Sequence, residues 1–186
     1  MNKPKINQQL RRGFFALAIV GALLTLPNVQ AHRPIPASGN TTDCEHIISQ
    51  QIVGSDTITI LEITVCFHGT FEGTWVGTER DLFHADGTGT VQGSGFFSGT
   101  VNGRSGTTVF SYQVAISPNG DMSHWAVTEG TGDLAGLHGH GTFDEANERG
   151  PGCPPSGFDC TNCPPETGTC DDSFTLNYTG QIELPR

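Results

Sequence analysis

VNGRSGTTVFSYQVAISPNG, residues 101–120, reads as one extended strand held between two turn signals. Asn102-Gly103 and Asn119-Gly120 are dipeptides that tolerate positive φ at both central positions of a two-residue hairpin. Between them Phe110, Tyr112, Val114 and Ile116 alternate with Ser111, Gln113 and Ala115. That period of two turns one side of a strand toward an apolar interior. Asp86-Gly87 repeats the turn signal at nearly the same spacing upstream, so the segment belongs to a meander of hairpins.

The alternation extends outward from this strand. Phe174, Leu176, Tyr178 and Ile182 form one stripe and Ile63, Val65 and Phe67 another. Ile58 and Ile60 are out of phase with the latter, which predicts a β-bulge or bend at Leu61. Strands are expected over 45–53, 57–70, 74–84, 88–100, 106–117, 121–129, 132–143 and 173–184. No segment after the N-terminal region carries a capped apolar period of 3.6, so helix is minor. Eight antiparallel strands joined by hairpins close into a barrel and so remove exposed edges; a β-sandwich is the alternative. Glycines within strands (Gly93, Gly95, Gly99, Gly136, Gly139 and Gly141) suit the coiling and close contacts of a small barrel.

The N-terminus carries an export signal. Lys3, Lys5, Arg11 and Arg12 precede the uncharged apolar run Phe14 to Leu26, and Val29-Gln30-Ala31 offers small residues at a cleavage site. The run is too short to span a bilayer as a helix. Removing residues 1–31 from the 186 leaves 155, one domain's worth. The nine basic residues fall to five while all 19 acidic ones stay, for a formal charge of −14 without a single Lys. Such a field repels nucleic acid and anionic lipid. The organisation expected is a signal peptide over 1–31, a flexible lead-in over 32–43, and one barrel domain over 44–186, with a Cys/Pro/Gly-rich insertion at 147–171. The destination is the periplasm or the medium, without membrane insertion after cleavage.

All six cysteines lie in the exported part: Cys44, Cys66, Cys153, Cys160, Cys163 and Cys170. An even count in a secreted chain favours disulfides. The last four form a symmetrical run in a Pro- and Gly-rich stretch, which reads as a stapled loop ahead of a zinc knuckle or a redox pair. Connectivity is open; Cys44 and Cys66 are left to pair with each other.

Three further segments carry a resemblance. Gly99-Thr-Val-Asn-Gly-Arg-Ser-Gly106, the glycine-rich run from Trp125 to Gly139, and Phe174-x-Leu-x-Tyr178 resemble a bacterial family, domain-of-unknown-function family 3224. Its barrel is similar to that of allene oxide cyclase. The likeness covers roughly Glu62 to Leu184 and departs at the 150–170 insertion and around Cys66 and His68. It implies an eight-stranded barrel and no particular activity.

Candidate chemistry is sparse. No nucleophile elbow, zinc-protease motif or phosphate loop is present. Trp75, Phe110, Tyr112 and Trp125, with Phe83, Phe96 and Phe97, are the aromatics that either fill the barrel or line a ligand site. His138 and His140 share one strand face and are weak metal candidates without a visible third ligand, so no metal or cofactor is expected. Glu72, Glu79, Arg80, Glu129 and Asp133 are the charges available for acid–base work, and solvated rim positions explain them equally well. The best reading is a secreted barrel of non-enzymatic function that binds a small apolar or aromatic molecule or acts structurally. The alternatives are a cyclase- or isomerase-like enzyme with a hydrophobic substrate in the barrel, and an extracellular interaction module using the stapled loop.

Overall fold

A computed structural model describes residues 33–148 and 170–184. Eight antiparallel strands, each beside its sequence neighbour, form a closed barrel: β1 (Ile35–Val53), β2 (Asp56–Gly69), β3 (Phe71–Phe83), β4 (Gly89–Val101), β5 (Arg104–Ile116), β6 (Met122–Thr128), β7 (His138–Glu148) and β8 (Phe174–Glu183). The expected barrel is therefore present, with two revisions at the level of elements. The segment expected as a flexible lead-in is strand from Ile35 onward. Its backbone pairs with β8 from Ile35↔Ile182 to Thr42↔Thr175, and this ladder closes the ring. The run expected as strand from 132 is instead a one-turn 3₁₀ helix, Gly132–Leu134, and β7 starts only at His138. Gly136 belongs to this connection rather than to a strand.

The turn chemistry is resolved position by position. Asn102 and Gly103 both take positive φ (50° and 79°) between paired Val101 and Arg104, a two-residue hairpin as read. Asp86-Gly87 and Asn119-Gly120 sit instead in longer connections, where only the glycines have positive φ. The phase change at Leu61 has a different origin from the one expected. Strand β2 runs regularly, with Thr59, Leu61, Ile63, Val65 and Phe67 facing inward and Ile58 and Ile60 outward. The irregularity lies opposite, on β1, where the register shifts between Ile47↔Leu61 and Ser49↔Ile60.

Large rings fill the interior. Trp75, Phe97, Phe110, Trp125 and Tyr178 are buried around Phe67, whose ring meets those of Phe97 (5.8 Å), Phe110 (5.1 Å) and Tyr178 (5.6 Å). Glycines on the lumen face make room for them. A Cβ on Gly93 would lie 2.2 Å from the Tyr112 ring, and one on Gly141 or Gly180 would strike the Trp125 indole. The Tyr178 hydroxyl accepts from Phe71 N–H (2.9 Å) and donates to the His68 carbonyl (3.2 Å), so β8 is tied to the β2–β3 turn. The end bearing that turn, here the lower end, is plugged by Leu134 and Leu137 of the β6–β7 connection, both fully buried. Their loop is pinned to β5 by Thr131 N–H donating to the Thr107 carbonyl (2.8 Å). The upper end carries the β1–β2, β3–β4 and β5–β6 connections.

The segment before β8 runs as a strap along β1. Glu45 N–H donates to the Asp172 carbonyl (3.0 Å), Asp171 N–H donates to the Glu45 carbonyl (2.8 Å), and Ser173 Oγ donates to the Asp43 carbonyl (2.8 Å). A disulfide between Cys44 and Cys170 fastens this strap, which overturns the pairing of Cys44 with Cys66. Alternation explains the outcome. Cys44 and Cys66 both project from the outer face of the β1–β2 ladder, Cys44 opposite Thr64 and Cys66 opposite Thr42, and Cys170 arrives over that face. Cys66 is itself disulfide-bonded. Cys153, Cys160, Cys163, the signal segment 1–31 and most of the 147–171 insertion lie outside the described residues.

Two measurements check this architecture. Gly93→Ala pushes a methyl into the Tyr112 ring and is expected to lower stability by ~1–3 kcal/mol in denaturant titration. Gly87→Ala, with nothing within 4 Å of the added atom, costs only the strain of its positive φ, about 1 kcal/mol. Replacing both Cys44 and Cys170 by Ser opens a crosslink across 126 residues and is expected to cost up to ~5 kcal/mol in the same titration.

Candidate functional site

Above the aromatic core the lumen turns polar. The inward row of β1 continues from Ala37 through Thr41 to Asp43 and Glu45, and that of β3 from Phe71 and Trp75 to Glu79 and Asp81. Period-two geometry carries an apolar face straight into an acidic one. Tyr112 on β5 belongs to the same layer. Its ring rests against the Trp75 indole (5.7 Å between centroids) and crosses Gly93, so that its hydroxyl donates to Glu79 Oε2. Glu79 in turn shares a hydrogen bond with Asp81. The chain Tyr112–Glu79–Asp81 thus leads from the buried core toward the half-exposed Asp81 at the upper end. Asp43 sits at the β1–β8 seam, where its Oδ1 accepts from Phe174 N–H.

Burial raises the proton affinity of every carboxyl in the cluster. Burial pushes Asp43 up to about 8, helped by the charges of Glu79 and Asp172 and opposed by the Phe174 N–H. Glu45 rises to about 8 through burial and the nearby Asp43 and Asp81. Glu79 rises to about 9 through burial and the adjacent Asp81. Burial raises Asp81 as well, and burial beside Glu79 drives the Tyr112 phenol well above its ordinary value. The causes are those expected for like charges in a low-dielectric space: each ionisation makes the next more costly. The ion pairs among the described residues, His68–Glu72 and His84–Asp56, involve none of these four carboxyls.

Among the described residues, two buried polar atoms of this lumen have no hydrogen-bond partner. Asp81 Oδ1 is one, and Oγ1 of the fully buried Thr41, on the β1 row just before Asp43, is the other. Above the layer a register row of Ile52, Thr57, Phe83, Gly89 and Ile116 crosses the upper end, and Ile52 and Phe83 are exposed there.

The residues singled out from sequence separate cleanly. Trp75, Phe110 and Trp125 pack within the core, with the Trp75 indole N–H donating to the Phe110 carbonyl (3.0 Å), that of Trp125 to the Thr142 carbonyl (3.2 Å), and Phe110 stacked on Trp125. Of the four aromatics only Tyr112 reaches the polar layer. Phe97 joins the core, whereas Phe96 projects outward. Among the five charged candidates Glu79 alone faces the lumen; Glu72, Arg80, Glu129 and Asp133 are exposed. His138 and His140 are exposed on the outer face of β7, and no group of three metal-ligating side chains converges among the described residues. Asp43, Glu45 and Asp81 were missed. The signal was parity: Glu79 and Asp81 are in phase with Trp75, while the row Thr41, Asp43, Glu45 began in a stretch read as lead-in. A surface depression of about 280 Å³ is lined by Ile60, Thr78, Glu79, Arg80, Gln92, Gly93 and Ser94.

The pH dependence of folding follows from these shifts. The carboxyls bind protons more tightly folded than unfolded, so their stabilisation is complete at acid pH below their ordinary values. It is lost progressively as pH rises toward 8 to 9. The melting temperature is expected to fall between pH 5 and pH 9, and Glu79→Gln is expected to flatten that slope; a melting temperature that rises over this range contradicts the assignment.

The comparisons with known proteins agree with the fold. A family model described as "Protein of unknown function (DUF3224)" matches residues 41–151. The crystal structure of a DUF3224-family protein of unknown function from Shewanella oneidensis MR-1 superposes with a TM-score of 0.61 at 16% sequence identity. The superposition covers 83% of this chain and 99% of that one. No curated protein matches the chain.

Proposed function

The chain belongs to the DUF3224 family, and on that premise we propose that it is a secreted barrel that binds a small molecule at the upper end of its lumen. The ligand's apolar part meets Ile52, Phe83 and Ile116, and its polar group meets the carboxyl–phenol layer. One observation carries the reading: among the described residues, the lumen holds four carboxyls without a basic partner, together with two buried oxygens that have no hydrogen-bond partner. Burying such groups unsatisfied costs roughly 1–3 kcal/mol each, a cost that a structural role alone does not offset. Functional sites are where proteins concentrate perturbed carboxyls.

The ring-filled interior supports a ligand held at the mouth rather than deep in the lumen. Export is supported by the apolar N-terminal run and its cleavage-site residues, and by the disulfides at Cys44 and Cys66. Among the described residues no helix is long and apolar enough to cross a membrane.

The test is the mass of the protein recovered from a secreting bacterial host, native against denatured. We expect a native species heavier than the chain that begins at His32, with the excess lost on denaturing. Native and denatured masses that both equal the bare chain overturn the binding reading.

A further inference from the structure

We infer that the ligand of this site is an organic cation, an amine with an apolar tail, whose ammonium group is taken up by the layer of Glu79, Asp81, Asp43 and Glu45. The inference rests on the lumen-binding reading above and names the chemical class of its ligand.

Charge balance is the first argument. Among the described residues, the groups that face this layer are Asp43 and Glu45 from β1, Glu79 and Asp81 from β3, Tyr112 from β5 and Asp172 from the strap; β2 contributes Thr59 and Leu61, and β4 contributes Gly93. Every ionisable group of this described set is an acid. An empty layer resolves its own repulsion by keeping protons, and a ligand cation resolves it by replacing them. A neutral alcohol or an acid offers no such relief. An anion would face repulsion from each group that remained ionised.

Unfilled hydrogen-bonding capacity is the second argument, and it is independent of charge. Asp81 Oδ1 accepts from nothing, and Thr41, fully buried on the same lumen row as Asp43, has an unpartnered Oγ1. An ammonium group supplies three donors and no acceptor, which matches a layer rich in acceptors. The third argument concerns the surroundings. Ile52 and Phe83 above the layer suit an alkyl tail. No three of the described carboxylates and histidines converge as metal ligands, so the geometry favours an organic cation over a bare metal ion.

Binding then exchanges protons for the cation. Each carboxyl that ionises against the ammonium group releases one proton to solvent.

The probes are octylammonium and octanol, which share a tail and differ in charge, titrated calorimetrically into the mature chain at pH 7 in two buffers of different ionisation enthalpy. Octylammonium is expected to bind at least about tenfold more tightly than octanol, as a charge-assisted bond lost from a buried site implies, and to release protons on binding. Glu79→Gln is nearly isosteric with the neutral carboxyl and keeps the fold. It is expected to weaken octylammonium binding by about tenfold or more and to reduce the proton release. Asp81→Asn provides a second variant with the same expectation. Equal affinities for the two probes, or binding without proton release, overturn the cation inference and leave the lumen-binding reading standing. Binding of neither probe, together with a bare native mass, overturns both. Calcium alone displacing octylammonium one for one overturns the inference in favour of a metal site.

Discussion

Fitting large rings into a lumen of fixed width is the constraint on which the rest of this structure depends. Eight strands enclose only enough space for side chains, and this chain spends that space on Phe67, Trp75, Phe97, Phe110, Trp125 and Tyr178. Rings of that size fit only where the wall they cross has no side chain of its own. Glycines on the facing strands meet that need: Gly93 beneath Tyr112, Gly141 and Gly180 beneath Trp125, and Gly39 beneath Tyr178. Each pairing is a contact between residues distant in sequence. The register of the whole sheet therefore has to be right for any of them to form, since a one-residue slip would turn ring and glycine to opposite faces.

The candidate site is a by-product of the same packing. Tyr112 reaches Glu79 only because it passes over Gly93, and Glu79 is held in the interior because it shares the face of Trp75. Below this level the interior is filled by rings that interlock, many of them edge to face and Phe110 stacked on Trp125. Above it the strands continue with acidic residues on the inward face, and desolvation there outweighs the pull of the hydrogen bonds that favour ionisation. The result is a proton-holding layer between a dense core and an apolar mouth.

The strap couples this layer to the outside of the barrel. Asp43 points inward and takes the Phe174 N–H, while the neighbouring Cys44 points outward and is bonded to Cys170. One strand thus presents a carboxyl to the lumen and a sulfur to the surface at adjacent positions. The pairing of Glu45 with Asp171 and Asp172 extends the β1–β8 seam past the end of the regular ladder. An oxidising compartment favours this arrangement, because the disulfide holds in place the backbone donor that Asp43 uses.

Much of the architecture was legible in the chain itself. Alternation in Phe110 to Ile116 and in Phe174 to Ile182, and the Asn102-Gly103 turn, determine strands, inward faces and hairpin order, because period two and positive φ are local properties of a few residues. The acidic balance is likewise a matter of composition. Local signals could not reveal that 35–43 is a strand, since Pro, Ser, Thr and Asn there suit a loop and only the β2 and β8 edges make them pair. Nor could they find the partner of Cys44: the sequence leaves Cys66 to pair with it, and only the strap laid over β1 brings Cys170 there instead. Of the charged residues, Glu79 was visible as a candidate and Asp43, Glu45 and Asp81 were not, although all four share the inward parity of their strands. Whether an acidic side chain faces solvent or lumen depends on how far the neighbouring strands extend beside it. That is a property of the closed barrel, and only the tertiary structure decided it.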